Sequence, residues 1–487
     1  MSERTALILT GEEVLRETGG LLLKGEAGTV FRGISTDSRT ICLGNLFVPL
    51  VGANFDGHDF LNDVVKAGAS GFLVQKGREG QLFRVKNDDL PIILVEDTLW
   101  ALGNIAHFRR ELFSIPVVAV TGSSGKTTTK EMIADILGLN RKVLKSQGNF
   151  NNLIGLPQTL LALTIAHDVV VLELGTNKRG EIGRLAEIAS PDIGVITSIG
   201  PAHLEGFGTI EAVREEKGDL FRMMGNKGIV VVNVDDENVG VLAGRWGGEK
   251  ITFGFDEGAD VRADDITRRG NEGLSFTLKI GELKKDVSLA VVGRHNVRNA
   301  LAAAAVCWSL GVDLELICRG LESFEPVYGR MVMRRLKNEA FLVDDSYNAN
   351  PSSMKEALKT LSDMKGKHRG IAVLGDMLEL GAHAMELHEE IGRIAADVGL
   401  HALILKGAYS RAVAFGAMEK GFQREQILFM EKTEDMVGCL ETHLQRWDWV
   451  LVKGSRGMKL DEVVTALIRQ IGLYDAPFSS EGVIIGD

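Results

Sequence analysis

The chain has 487 residues, of which 45% are hydrophobic and 25% charged, and it carries a net charge of −11. That length is too great for one core and suggests roughly three domains, while the ordinary composition excludes a disordered or fibrous chain. The acidic balance disfavours nucleic acid as a partner, and with no run of membrane-spanning length and no export-type N-terminus, a cytoplasmic protein without membrane insertion is expected.

In residues 1–96, GNLFVPL, GFLVQ and PIILVE read as strands and DFLNDVVKAGA as a helix, which makes a small α/β domain. Residues 97–325 change scale. The helical LWALGNIAHFRREL leads into alternating strands and helices, with VVAVT, KVLKS, DVVVLEL, IGVITSI and GIVVVN as apolar strands, the pattern of a parallel sheet with crossover helices. Between Ile251 and Val292 the pieces ITFGF, LSFTLKI and VSLAVV suggest a side β-sheet of this central domain, before the alanine-rich helix NVRNALAAAAVCWSLG. Residues 326–487 form a third α/β series on the strands FLVDDSYN, RGIAVLGD, HALILKG, QILFM and DWVLVKG, and the tail DAPFSSEGVIIGD has no assignable role. The expected fold is α/β in three domains. Cys42, Cys307, Cys318 and Cys439 are widely spaced and form no CxxC, which fits a reducing compartment and argues against a zinc or redox site.

The segment TGSSGKTTT, Thr121 to Thr129, stands between the apolar IPVVAV and the helical KEMIADIL. It reads as a phosphate-binding loop. Gly122 and Gly125 allow a tight turn that aims backbone N–H groups at phosphate, with Ser123 and Ser124 between them; Lys126 can reach the terminal phosphates, and a Thr127 or Thr128 hydroxyl can hold Mg²⁺. The usual pattern wants a glycine where Val120 stands, so the loop is a shortened form.

Glu173 closes the run DVVVLE, at the edge where open parallel sheets bind ligands, and could supply a metal ligand or pair with a nearby cation. His203 in GPAHLEGFG falls at the same edge, as a metal ligand or a hydrogen-bonded structural residue. In TIEAVREEKGDLFRMM, Lys217 interrupts the stripe made by Ile210, Val213, Leu220, Phe221 and Met224. Its ammonium could snorkel to water; if buried, desolvation would leave a neutral amine able to take up CO₂ as an anionic carbamate. In GNFNNLIGLP, Asn149, Asn151 and Asn152 precede a helix and could bind ligand or cap it, and in RHNVRNA, Asn296 could cap or contact a purine.

With these segments in this order, the chain resembles the Mur ligase family of ATP-dependent amide-bond-forming enzymes over essentially its whole length, on TGSSGKTTT, GNFNNLIGLP, ELGTN, AHLEGFG with the later lysine, and GRHNVRNALAAAAV. DDSYNANPSSM, LGDMLELG and LVKGSRGMKLDEVV resemble the branch that adds D-alanyl-D-alanine, no DNPR is present, and STDSRT resembles the UDP-sugar-binding stretch of the later enzymes of that pathway. The resemblance implies an N-terminal UDP-sugar-binding domain, a central ATP-binding P-loop domain and a C-terminal Rossmann-like domain. It implies that Lys126 and Thr127 bind ATP phosphates and a first Mg²⁺ with Glu173, that His203 and a carbamoylated Lys217 hold a second metal, and that Asn296, Arg330 and Asp345 contact ATP. Ser38 and Arg39 would meet the uridine diphosphate, and Asn149, Asn151, Asn152, Asn348 and Ser455 are expected on the substrate side.

The implied reaction begins when the terminal carboxylate of UDP-MurNAc-tripeptide attacks the γ-phosphate of ATP, giving an acyl phosphate and ADP; the amine of D-Ala-D-Ala then displaces phosphate. Lys126, Lys217, His203 and Arg330 are the expected catalytic residues. Because Arg330 follows the boundary at residue 325, closure of the C-terminal domain onto the central one is expected, the alternative for Arg330 being a surface ion pair. The rival functions are a ligase adding a diamino acid to UDP-MurNAc-dipeptide and a P-loop nucleotide switch. A monomer is expected, since no coiled coil or association segment is visible.

Overall fold

Apolar strands alternating with helices assemble, in the computed structural model, into three main sheets, each flanked by its own helices; residues 7–85, 89–269 and 273–474 are described. The tail from 475 onward lies outside the described residues.

The N-terminal sheet has five strands, with Ile34–Ser35, Leu46–Phe47, Gly71–Gln75 and Ile92–Val95 parallel and Leu21–Lys24 antiparallel at one edge. The strand expected over GNLFVPL is only Leu46–Phe47, and the helix over DFLNDVVKAGA divides into a 3₁₀ turn, Gly57–Phe60, and a helix, Leu61–Lys66. Helix Thr98–Glu111 serves two cores: Leu102 and Ile105 pack in the N-terminal one and Ala106 in the central one. Its buried Arg109 and Arg110 donate to the Leu163 and Ala189 carbonyls, which satisfies guanidinium groups that burial would otherwise penalise.

The central sheet is a single nine-stranded structure. Its parallel part centres on Val117–Thr121, flanked by Val169–Glu173 and Ile193–Ile196. Val118 and Val120 face the core under the alanine-rich helix Arg294–Ser309, while Val117 and Ala119 face helices Glu181–Ala189 and Ile210–Met224. Helices on both faces explain why these strands are apolar up to their C-terminal ends, where Thr121 and Glu173 stand. The side sheet expected between Ile251 and Val292 takes the form of a continuous extension: Glu249–Gly254 joins in parallel, Val261–Arg268 follows, and Leu274–Ile280 and Leu283–Leu289 close the edge antiparallel.

The C-terminal sheet has six strands. Phe341–Asp345, Trp449–Lys453, Gly370–Gly375, Ala402–Lys406 and Ile427–Phe429 are parallel, and an antiparallel strand, Val332–Arg335, which the sequence pattern did not reveal, covers one edge. Cys307 and Cys318 are buried, and all four cysteines are free.

Candidate active site

The first glycine of the phosphate loop falls two residues later than in the usual pattern, for a reason visible in the sheet. Val120 is buried inside the strand, opposite Glu173 and Val195, so the position where a longer loop carries glycine belongs here to the core. Gly122 and Gly125 then have φ of 149° and 84°, and a Cβ on them would overlap Thr197 Oγ1 and Asn299 Oδ1 respectively. Neighbouring strand ends hold the loop: Ser123 N–H donates to the Ser198 carbonyl at 2.8 Å, and Thr197 Oγ1 donates to the Ser124 carbonyl at 2.6 Å. Helix Lys126–Gly138 starts at Gly125 without a side-chain cap, so its first N–H groups face the cavity unclaimed, an arrangement suited to an anion. Lys126 Nζ folds back on the Gly122 carbonyl at 2.8 Å, and burial, opposed by Glu173, lowers its pKa.

Glu173 is buried at its strand end. Its carboxylate accepts from Thr127 Oγ1 at 2.8 Å and from Asn151 Nδ2 at 2.9 Å, so the first hydroxyl of the loop helix and the asparagine segment converge on one carboxylate. The three asparagines part company here. All three line the cavity, but Asn152 accepts the N–H groups of Ile154 and Gly155 at the helix start and Asn151 holds Glu173.

Asn296 also lines the cavity, but both ends of its amide have protein partners, the Val292 carbonyl at 2.7 Å and Asn299 Nδ2 at 3.1 Å. Asn299, which borders Gly125, is therefore part of the loop's support, and its place one turn beyond Asn296 was the signal available for it. Lys217 is 2% exposed and makes no hydrogen bond or ion pair among the described residues; burial first, then the nearby Lys126, drives its pKa well below the ordinary lysine value. Snorkelling is thereby excluded. Lys217 does not itself line the cavity, and neither does Gly122. Beside it, the buried Glu216 accepts the N–H groups of Gly180 and Ile182 at 2.7 and 2.9 Å.

The opposite wall comes from the C-terminal domain. Arg330 donates to Thr127 Oγ1 at 2.9 Å and stacks on Tyr347, so it is not a surface ion pair. Asp345 is buried and ion-paired with Lys453 at 2.6 Å; burial raises its pKa and Lys453 opposes the shift. Asn348 and Ser455 line the cavity, with Ser455 Oγ accepting the Leu378 N–H and donating to the Ala349 carbonyl. Asn350 caps helix Pro351–Lys365 through its Oδ1 while its Nδ2 donates to the Ser123 carbonyl at 2.9 Å. His203, with φ of 55°, is hydrogen-bonded through Nδ1 to the Glu379 carboxylate. Lys453, Asn350 and Glu379 were not singled out individually in the sequence, although each lies within a motif that was. Together the two domains enclose a cavity of about 720 Å³.

Ser38 and Arg39 stand apart from this cavity. Arg39 is exposed and ion-paired with Asp37 at 2.7 Å, which lowers the Asp37 pKa to about 2, and Thr36 accepts a hydrogen bond from Gln158 of the central domain at 2.8 Å.

A phosphate loop at the strand ends of a parallel sheet, with a carboxylate beside its threonine and an arginine from a second α/β domain over it, defines a nucleotide-dependent enzyme that works between domains. The Mur ligase middle domain matches residues 120–307, the Mur ligase glutamate ligase domain matches 329–456, and the Mur ligase family catalytic domain matches 30–110. The chain belongs to the Mur ligase family. It is 38% identical to the UDP-N-acetylmuramoyl-tripeptide–D-alanyl-D-alanine ligase of Escherichia coli strain K12, over 92% of this chain and 96% of that one. Among solved structures, a crystal structure of MurF from Acinetobacter baumannii superposes with a TM-score of 0.86 at 31% identity, covering 96% of this chain and 100% of that one. MurF ligase from Thermotoga maritima in complex with ADP gives 0.80 at 29% identity, covering 90% and 97%.

Proposed function

We infer that this chain is an ATP-dependent ligase joining D-Ala-D-Ala to UDP-MurNAc-tripeptide, with release of ADP and phosphate. The observation that carries this reading is the Arg330–Thr127 hydrogen bond, which puts a C-terminal-domain cation on the phosphate loop of a chain whose relatives carry that name. The work divides among residues 1–96, which take the UDP end near Ser38 and Arg39, 97–325, which bind ATP, and 326–487, which close over it. One chain supplies the whole cavity, and we place it in the cytoplasm as a monomer.

The oxygen donors Thr127 and Glu173, 2.8 Å apart, suit a hard cation such as Mg²⁺, which usually completes its shell with phosphate and water. Bound there, Mg²⁺ would neutralise phosphate charge. The chain's own groups do the rest. Lys126 exchanges the Gly122 carbonyl for a phosphate oxygen, and the helix N–H groups hold the others. Arg330 offsets the repulsion between the substrate carboxylate and ATP, and stabilises charge on the transferring phosphoryl group. Closure of the C-terminal domain keeps water from the acyl phosphate. Asn149, Asn348 and Ser455 are placed to meet substrate.

Lys217, buried and with its pKa lowered by that burial, would take up CO₂: its nitrogen forms a bond to carbon, a proton leaves to water, and the carbamate anion, with His203, would offer ligands for a second cation. Phosphate release from ATP tests the main reading. It should require both UDP-MurNAc-tripeptide and D-Ala-D-Ala; turnover with ATP alone, or with a free diamino acid in place of the dipeptide, would refute it.

A further inference from the structure

The loop Asp376–Gly381 is held to the protein at several points. The Met377 N–H donates to His388 Nε2 at 2.9 Å, the Leu378 N–H donates to Ser455 Oγ at 2.9 Å, and the Glu379 carbonyl accepts the Glu205 N–H of the central domain at 2.9 Å. Glu379 itself has φ of 63° and meets His203, whose φ is 55°. Two non-glycine residues in the left-handed region facing each other across a domain boundary indicate a contact over-determined by its surroundings. Three other carboxylates on the cavity wall are committed elsewhere: Glu173 to Thr127 and Asn151, Asp345 to Lys453, Glu181 to the Asn177 and Lys178 N–H groups. The side chain of Glu379 is partnered by His203 Nδ1.

An ionised carboxylate only accepts hydrogen bonds, so His203 Nδ1 must carry the proton it donates, and in the neutral ring Nε2 then holds a lone pair. We propose that Glu379 is a positioning residue that fixes His203 as its Nδ1–H tautomer, so that closure of the C-terminal domain presents the Nε2 lone pair at the reaction cavity. Among the described residues no central-domain group hydrogen-bonds the His203 ring, and an Nε2–H ring can neither bind a cation nor accept a proton at that atom. Closure therefore assembles the cavity and prepares His203 in one movement. The functional meaning rests on the ligase reading above; the tautomer does not.

The test uses the full chain labelled with ¹⁵N-histidine, at about pH 8, above the ordinary imidazole range, with a non-hydrolysable ATP analogue bound and the His203 signals assigned from His203→Gln. Long-range ¹H–¹⁵N correlation should show the Nδ1–H tautomer in the wild type and a shift toward Nε2–H in Glu379→Ala. Glu379→Gln, whose amide oxygen still accepts, should retain Nδ1–H. An Nε2–H ring in the wild type, or an unchanged ring in Glu379→Ala, overturns the proposal. In turnover, Glu379→Ala should lower kcat about 10–100-fold, as loss of a residue orienting a functional histidine does, with KM for ATP within about twofold and most activity restored in Glu379→Gln. A raised KM for the dipeptide at unchanged kcat would instead make Glu379 a substrate-binding residue and overturn the proposal. A wild type that releases no phosphate with both substrates present would refute the ligase reading and leave the tautomer result standing.

Discussion

The Arg330 guanidinium donates to Thr127 Oγ1 at 2.9 Å, joining residues 203 positions apart in the chain and on different domains. Thr127 also donates to Glu173, so the arginine, the loop threonine and the strand-end carboxylate form one connected group where phosphate would enter. Removing Arg330 should act on the transition state more than on nucleotide affinity. Arg330→Ala is expected to lower kcat about 10²-fold or more, the scale for losing one preorganised charge-stabilising donor. Arg330→Lys should recover little, because a lysine cannot both reach Thr127 and stack on Tyr347 in the same way. Steady-state kinetics at saturating ATP checks this, and normal turnover in Arg330→Ala would rule out the closure role.

Lys217 is the clearest case of stability set against function. A buried amine without a partner costs folding free energy, and an apolar side chain of similar length would not. Lys217→Met should therefore unfold at higher temperature than the wild type and be inactive. Calorimetry and a turnover assay measure the two arms. Depleting bicarbonate should reduce wild-type activity, with recovery on adding CO₂, and a wild type indifferent to CO₂ would show that the amine acts unmodified.

Asn350 combines two jobs that a single substitution can separate. Its Oδ1 caps helix Pro351–Lys365 and its Nδ2 reaches the Ser123 carbonyl. Asn350→Ala should lose about 1 kcal/mol of stability with the cap. Asn350→Asp keeps a good cap yet sets a carboxylate against the carbonyl, so it should stay near wild-type stability while kcat falls several-fold. Equal stability losses in the two variants would mean that the cap is not what Asn350 contributes.

His295 gives a pH signature. Burial, with Lys453 and Arg298 nearby, lowers its pKa from 6.5 to about 4, and its Nδ1 is buried without a hydrogen-bond partner, the Glu356 carboxylate standing 3.9 Å away. Between those values the unfolded chain binds the proton and the folded one does not. Its contribution to stability is thus intact above pH 6.5 and declines as pH falls toward 4. Urea unfolding at several pH values should show a shallower acid decline in His295→Gln than in the wild type.

Much of the site was legible because its signals are local. TGSSGKTTT lies between strand and helix, Glu173 ends an apolar run, and Lys217 breaks an amphipathic stripe; each depends on neighbours within a turn or a strand, where periodicity speaks directly. The edge strand Val332–Arg335 escaped because all four residues are half-buried, so no apolar alternation marked it. Leu46–Phe47 came out shorter than expected: Val48 still donates its N–H to the Ser35 carbonyl, but Pro49 has no N–H with which to continue the ladder.

By itself, then, the amino-acid sequence determined the phosphate loop, the order of strands and helices, and the family the chain belongs to, since those follow from residue types at fixed spacing. Only the tertiary structure decided what each polar group faces. Glu379 against His203, Asn350 against Ser123 and Lys453 against Asp345 are separated by 176, 227 and 108 residues respectively. No local pattern encodes such pairs: the first two exist only when the central and C-terminal sheets bring their strand ends together, and the third only when strands distant in the chain lie side by side in one sheet.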